Sequence, residues 1–80
     1  SGYVTHPGDS DLDIYETLTN REREILQLAA EGKTSIEIGK MLFISPRTAE
    51  THRANLMRKL SLRSQTDLVR FAIRKGIIPA

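Results

Sequence analysis

The chain has 80 residues and no cysteine, which limits it to one small domain and excludes a multi-domain enzyme, a disulfide framework and a thiolate zinc site. Its 12 Lys and Arg against 10 Asp and Glu leave a net charge of only +2. No apolar run approaches the roughly 18 residues of a membrane-spanning helix, and the start lacks the basic-then-apolar pattern of a secretory signal, so the expectation is a soluble, cytoplasmic protein without membrane partners.

The modest net charge conceals a division along the chain. Residues 1–17 carry Asp9, Asp11, Asp13 and Glu16 without a single Lys or Arg, whereas all the basic residues fall in 18–80. The first stretch, SGYVTHPGDSDLDIYET, is rich in Gly, Ser, Pro and Asp and shows no sustained period. It reads as a flexible linker or arm over 1–17, preceding a domain over 18–80, and such an arm on a compact module suggests a piece of a longer protein. Asp9, Asp11 and Asp13 imitate the first half of a calcium loop. The imitation fails at the sixth and twelfth positions, Ile14 and Asn20, where glycine and glutamate are required.

From Leu18 onward the helix signals are regular. Thr19 and Glu22 form a capping box ahead of an apolar stripe of Ile25, Leu26, Leu28 and Ala29, and Gly32 stops this first helix. Thr34 and Glu37 form a second box before Ile38, Met41 and Leu42, predicting a helix of about two turns. Ser45 is the N-cap of a third helix with Pro46 at its first position, running to about Leu60. A fourth starts at Ser64, paired with Asp67, and continues through Leu68, Val69, Ala72 and Ile73 to Gly76. The class is all-α: a compact four-helix domain. Only Phe43 to Ser45 separate the second helix from the third, so a sharp turn rather than a long hairpin joins them, a helix-turn-helix.

At 100° per residue, Ala49, Leu56 and Leu60 gather on one side of the third helix, with His52 and Arg53 at its edges; the opposite side gathers Arg47, Glu50, Thr51, Ala54 and Arg58 and holds no large apolar group. That outer side has the chemistry of major-groove recognition. Arg47 can donate to guanine, Glu50 can accept from the cytosine amino group, and the methyl groups of Thr51 and Ala54 can touch thymine. The set expected to face phosphates is Lys33, Thr34, Ser45, Thr48, His52, Arg53, Arg58, Lys59 and Arg63, in which the open N–H groups of two helix N-termini join the basic side chains. An arginine and a glutamate on one helix face are also what a solvated surface looks like, with Glu50 pairing with Arg47 or Arg53. His52 can equally be a packed or capping histidine.

The segment LTNREREILQLAAEGKTSIEIGKMLFISPRTAETHRANLMRKL resembles the LuxR/FixJ-type, NarL-like helix-turn-helix output domain of bacterial response regulators. The resemblance covers residues 18 to 78 and is carried by Leu18, Thr19, Arg21, Glu22, Leu26, Gly32, Glu37, Ile38, Leu42, Ile44, Ser45, Thr48, His52, Lys59 and Leu60. It implies transcription regulation by sequence-specific binding of double-stranded DNA, with the third helix in the major groove and the fourth forming a homodimer contact through Leu68, Val69, Ala72 and Ile73. It also implies a receiver domain upstream and RNA polymerase as a further partner. No cofactor and no metal are implied. Independently of the resemblance, the apolar residues of the fourth helix span an arc of about 200°, wider than one-sided packing needs; they either complete the chain's own core or leave an edge for a partner.

The chain departs from that family's pattern at Glu50, where many relatives carry lysine, so its base preference should differ. Ser35, Ile36 and Gly39 replace the more usual Asn, Lys and Ala, and Ala49 replaces a β-branched residue; Gly39 is expected to cost up to about 1 kcal/mol in helix propensity. A ligand-sensing regulator of the quorum type shares this output domain. An enzyme is disfavoured because His6 and His52 are far apart and no phosphate loop or nucleophile constellation occurs. A helical protein-interaction module would want aromatic or large apolar anchors on the outer face of the third helix, and none is there.

Overall fold

A computed structural model describes residues 14–80. After a helical segment that ends at Glu16, four helices follow, α1 (Asn20–Ala30), α2 (Ser35–Leu42), α3 (Pro46–Lys59) and α4 (Gln65–Arg74), with no strand among the described residues. The calcium-loop imitation at Asp9, Asp11 and Asp13 lies outside them.

Each helix begins where its cap chemistry dictates. At α1 the Glu22 N–H donates to Thr19 Oγ1 at 3.1 Å while the Thr19 N–H donates to Glu22 Oε1 at 2.9 Å. Thr34 and Glu37 repeat this reciprocal box at α2 with the same two distances. Ser45 Oγ accepts the Thr48 N–H at 3.0 Å ahead of Pro46 at α3, and Ser64 Oγ accepts the Asp67 N–H at 3.1 Å at α4. Asp67 does not complete a box there, because its carboxylate accepts the N–H of Arg63 instead. Gly32 ends the first helix with φ +92°, a left-handed conformation that glycine adopts without steric cost.

The folded unit starts earlier than the arm expected over 1–17 allows. Residues 14 to 16 are helical, and Tyr15 packs against the core with its ring 6.5 Å from that of Phe71. The Arg23 guanidinium lies 4.9 Å over the Tyr15 ring and donates to the Glu16 carbonyl. One aromatic residue, with an arginine eight positions away to cover it, converts the end of a polar stretch into structure.

All four helices contribute to one core: Ile25, Leu26 and Ala29 from α1, Ile38 from α2, Ala49 and Leu56 from α3, and Leu68 and Phe71 from α4, with Leu18 and Leu60 closing it. Two of the four residues expected at a dimer contact are thereby withdrawn from it. Leu68 and Ala72 are both 0% exposed within the chain, because the α4 stripe that contains them is the one that packs inward. Val69 is half-buried and Ile73 is exposed, so only the flank of the apolar arc remains at the surface.

The α2–α3 turn is tight. Phe43 takes a left-handed φ of +60° and Ile44 donates its N–H to the Gly39 carbonyl at 3.0 Å. A Cβ at Gly39 would stand 2.5 Å from the Ile44 carbonyl oxygen, so bare backbone at this point lets the turn fold against α2. The expected propensity cost of Gly39 therefore comes with a packing role. Phe43 itself is 93% exposed and carries the strain of a left-handed non-glycine residue without packing in return.

One ion pair crosses the core boundary. Glu22, with a side chain only 6% exposed, accepts from Lys59 Nζ at 2.8 Å and so ties the first turn of α1 to the last turn of α3. Burial works to raise the Glu22 carboxyl's pKa, but the hydrogen bonds from Lys59 and Thr19 and the Lys59 charge outweigh it and hold it below the ordinary value of 4.5.

Two outcomes check this account. Phe43→Gly should stabilise the domain by about 0.5–1 kcal/mol, whereas Gly39→Val should destabilise it by about 2 kcal/mol through the clash with the turn; thermal melts read both. For Glu22, a depressed folded pKa means its contribution is present above the unfolded value and is lost as pH falls through the folded one. Urea midpoints should therefore fall as the pH is lowered through the ordinary carboxyl value of 4.5 and below it, and by less in Glu22→Gln.

Candidate nucleic-acid interface

The interface is built by α3, whose two sides have opposite fates. Ala49 and Leu56 are buried, and His52 and Arg53 are half-buried at the edges, while Arg47, Glu50, Thr51, Ala54 and Arg58 are all exposed. The expected readers of base edges thus stand on one uncovered face. The Arg47 and Glu50 side chains make no hydrogen bond or ion pair among the described residues, so the neutralising pairs between Glu50 and Arg47 or Arg53 are not formed. Thr51 Oγ1 donates to the Arg47 carbonyl at 3.0 Å, which fixes its rotamer against the helix.

The expected phosphate-facing residues divide. Lys33, Thr34, Ser45, Thr48, Arg58, Lys59 and Arg63 are exposed. Lys59 also pairs with Glu22, and so takes part in the fold as well. Arg58 is held by Asn55, whose Oδ1 accepts at 2.7 Å. The Ser45 hydroxyl donates to Thr48 Oγ1 at 2.9 Å, which leaves the Thr48 O–H to donate outward. The α2 N-terminus offers the N–H groups of Ser35 and Ile36, and α3 that of Arg47, because Thr34 and Ser45 cap only the third position of each helix. The Glu37 carboxylate is held below its ordinary value by its hydrogen bonds with Thr34, backbone first, and so stays ionised as part of that cap.

Lys33 and Thr34 meet α3 across a cleft of about 350 Å³, whose other walls are Gly32, Ser35, Glu50, Arg53, Ala54 and Gln65. Base-reading and phosphate-facing candidates from two helices are thus adjacent, while His52, Arg58 and Arg63 lie outside the cleft. Gln65 was not among the residues singled out from sequence. A polar residue opening a helix carries no signal by itself, and its importance comes from its partners: Arg53 Nη2 donates to Gln65 Oε1 at 2.8 Å, and Gln65 Nε2 donates to the Ala29 carbonyl at 2.8 Å. The exposed large apolar residues Ile36, Met41 and Phe43 lie on α2 and its turn and not on the outer face of α3.

Comparison with known proteins agrees with this geometry. The family model described as bacterial regulatory proteins of the luxR family matches residues 16–72. The chain is 53% identical over 60 residues to the response regulatory protein YgeK of Escherichia coli, covering 75% of this chain and 41% of that protein. It is 44% identical over 75 residues to the transcriptional regulatory protein LiaR of Bacillus subtilis, covering 94% of this chain and 35% of LiaR. It is 37% identical over 79 residues to the oxygen regulatory protein NreC of Staphylococcus haemolyticus, covering 95% of this chain and 36% of NreC. The chain spans about two fifths or less of the length of these relatives. A match that begins at Glu16, inside the helical turn packed on the core, also agrees with a folded unit that starts before Leu18. The family model and the helix-turn-helix formed by α2 and α3 identify a DNA-binding domain for transcription regulation, and the chain belongs to the luxR family of bacterial regulatory proteins.

Proposed function

We propose that this chain is the output domain of a two-component response regulator, which places α3 in the major groove and reads base edges with Arg47, Glu50, Thr51 and Ala54. The observation that carries the reading is the uncovered outer face of α3, where Arg47 and Glu50 have no partner among the described residues and none of them sets a bulky apolar group in the way of close approach. Groups that must exchange water for base edges on binding lose least when they are not already paired. Lys33, Thr34, Arg53, Arg58 and Arg63 grip phosphates around this face and set its register, and the N–H groups of Ser35, Ile36 and Arg47 add anion contacts. His52, Ser45 and Thr48 flank the same edge. The likeness to YgeK, a response regulatory protein, and to LiaR, a transcriptional regulatory protein, supports a receiver domain upstream in the full-length protein and favours it over a ligand-sensing module. RNA polymerase is the partner through which such a domain acts, in the cytoplasm; no helix among the described residues is long and apolar enough to cross a membrane.

On DNA the domain works as a homodimer through the flank of α4 that its own core leaves uncovered, Val69 and Ile73. Ile73, next to the last residue of α4, is 38% exposed, and Val69 one turn before it is half-buried. Two copies bound side by side bring two α3 helices to two half-sites.

Glu50→Ala tests the groove assignment. Its selected sites from a random duplex pool should differ at one base pair, by about 1–3 kcal/mol of discrimination, while affinity for random duplex stays level or rises because a carboxylate leaves the phosphates. Unchanged selection would refute the assignment. For the dimer, Ile73→Asp should reduce the complex on a two-half-site probe from two copies to one in a gel-shift assay, with the free domain still folded by circular dichroism. A two-copy complex that persists would remove α4 from the interface.

A further inference from the structure

Arg53 is the one cationic side chain of α3 that lines the cleft at the α2 N-terminus, and three elements converge to hold it there. Its guanidinium donates to Gln65, the first residue of α4, and Gln65 in turn donates to the carbonyl of Ala29 in the last turn of α1. Both ends of the Gln65 amide are used in complementary senses, acceptor toward the guanidinium and donor toward the carbonyl, so the partners determine its orientation. The nearest alternative for Arg53 is Glu50, three residues earlier on the same helix and lining the same cleft. A pair at that spacing is ordinarily favourable, yet among the described residues it is not formed.

We propose that Gln65 is a positioning residue for DNA binding: anchored on the Ala29 carbonyl, it holds the Arg53 guanidinium at the α2 N-terminus and away from Glu50, preset to grip a backbone phosphate. The inference rests on the reading of Arg53 as a phosphate contact. A neutral amide suits this role because it orients the guanidinium without cancelling its charge; a carboxylate in the same place would hold Arg53 and neutralise it together. Lys33 and the open N–H group of Ser35 stand on the facing wall, so an anion in the cleft would meet donors from both sides. Freed of Gln65, Arg53 has its rotamers to sample and Glu50 to pair with, and both must be reversed on each binding event.

The test is a double-mutant cycle on affinity for random-sequence duplex over a range of salt, using the unaltered chain, Gln65→Met, Arg53→Met and the double variant, with a thermal melt of each. Methionine keeps the length of glutamine and removes both hydrogen bonds. Gln65→Met should weaken binding about five-fold, evenly across sequences, and should have no further effect once Arg53 is methionine. If Arg53→Met leaves affinity and salt slope unchanged, the phosphate reading of Arg53 fails and the positioning role falls with it. If Arg53→Met weakens binding but Gln65→Met does not, or if Gln65→Met weakens it by the same factor in both backgrounds, the positioning role alone is overturned.

Discussion

The structure depends on how α3 divides its circumference. Ala49, Leu56 and Leu60 go into a core to which every helix contributes, and burying them fixes the rotation of α3 about its own axis. Once that rotation is set, Arg47, Glu50, Thr51 and Ala54 have nowhere to face but outward. The small domain has little surplus apolar area, so the same few side chains that make it stable also aim its recognition surface. Any substitution that lets α3 roll would affect folding and DNA reading together.

Two local devices keep that aim. The turn from α2 folds onto the bare backbone of Gly39, which places the start of α3 close to α2. At the other end the Lys59–Glu22 pair ties the last turn of α3 to the first turn of α1. The pair is asymmetric, an almost buried carboxylate and a partly exposed ammonium, so its worth lies mainly in satisfying Glu22, which would otherwise be a buried charge without a partner. Glu22 therefore serves twice, in the helix cap and in the interhelical tie.

Much of this was legible in the sequence because caps and periods are local. Thr19 with Glu22, Thr34 with Glu37, and Ser45 before Pro46 each announce a helix start within four residues, and the 3.6-residue period sorts α3 into an inner and an outer side. What escaped depends on distant partners. The tie of Lys59 to Glu22 was not legible because nothing near Lys59 in sequence reveals a partner 37 residues away. Leu68 and Ala72 looked available for a dimer because an apolar arc does not say which part of it is covered, and the α4 core takes both. Tyr15 read as part of an arm because its support comes from Arg23 and Phe71. Gln65 was invisible for the same reason, its two partners lying 12 and 36 positions away.

The central claim is that the outer face of α3, and not the apolar edge of α2, meets DNA. Titrating isotopically labelled protein with random-sequence duplex and following the backbone amide resonances tests it most directly. The account predicts the largest changes at Ser35, Arg47, Thr51 and Ala54, fading as salt is raised. Changes centred on Leu28, Met41 and Phe43, or changes indifferent to salt, would contradict it.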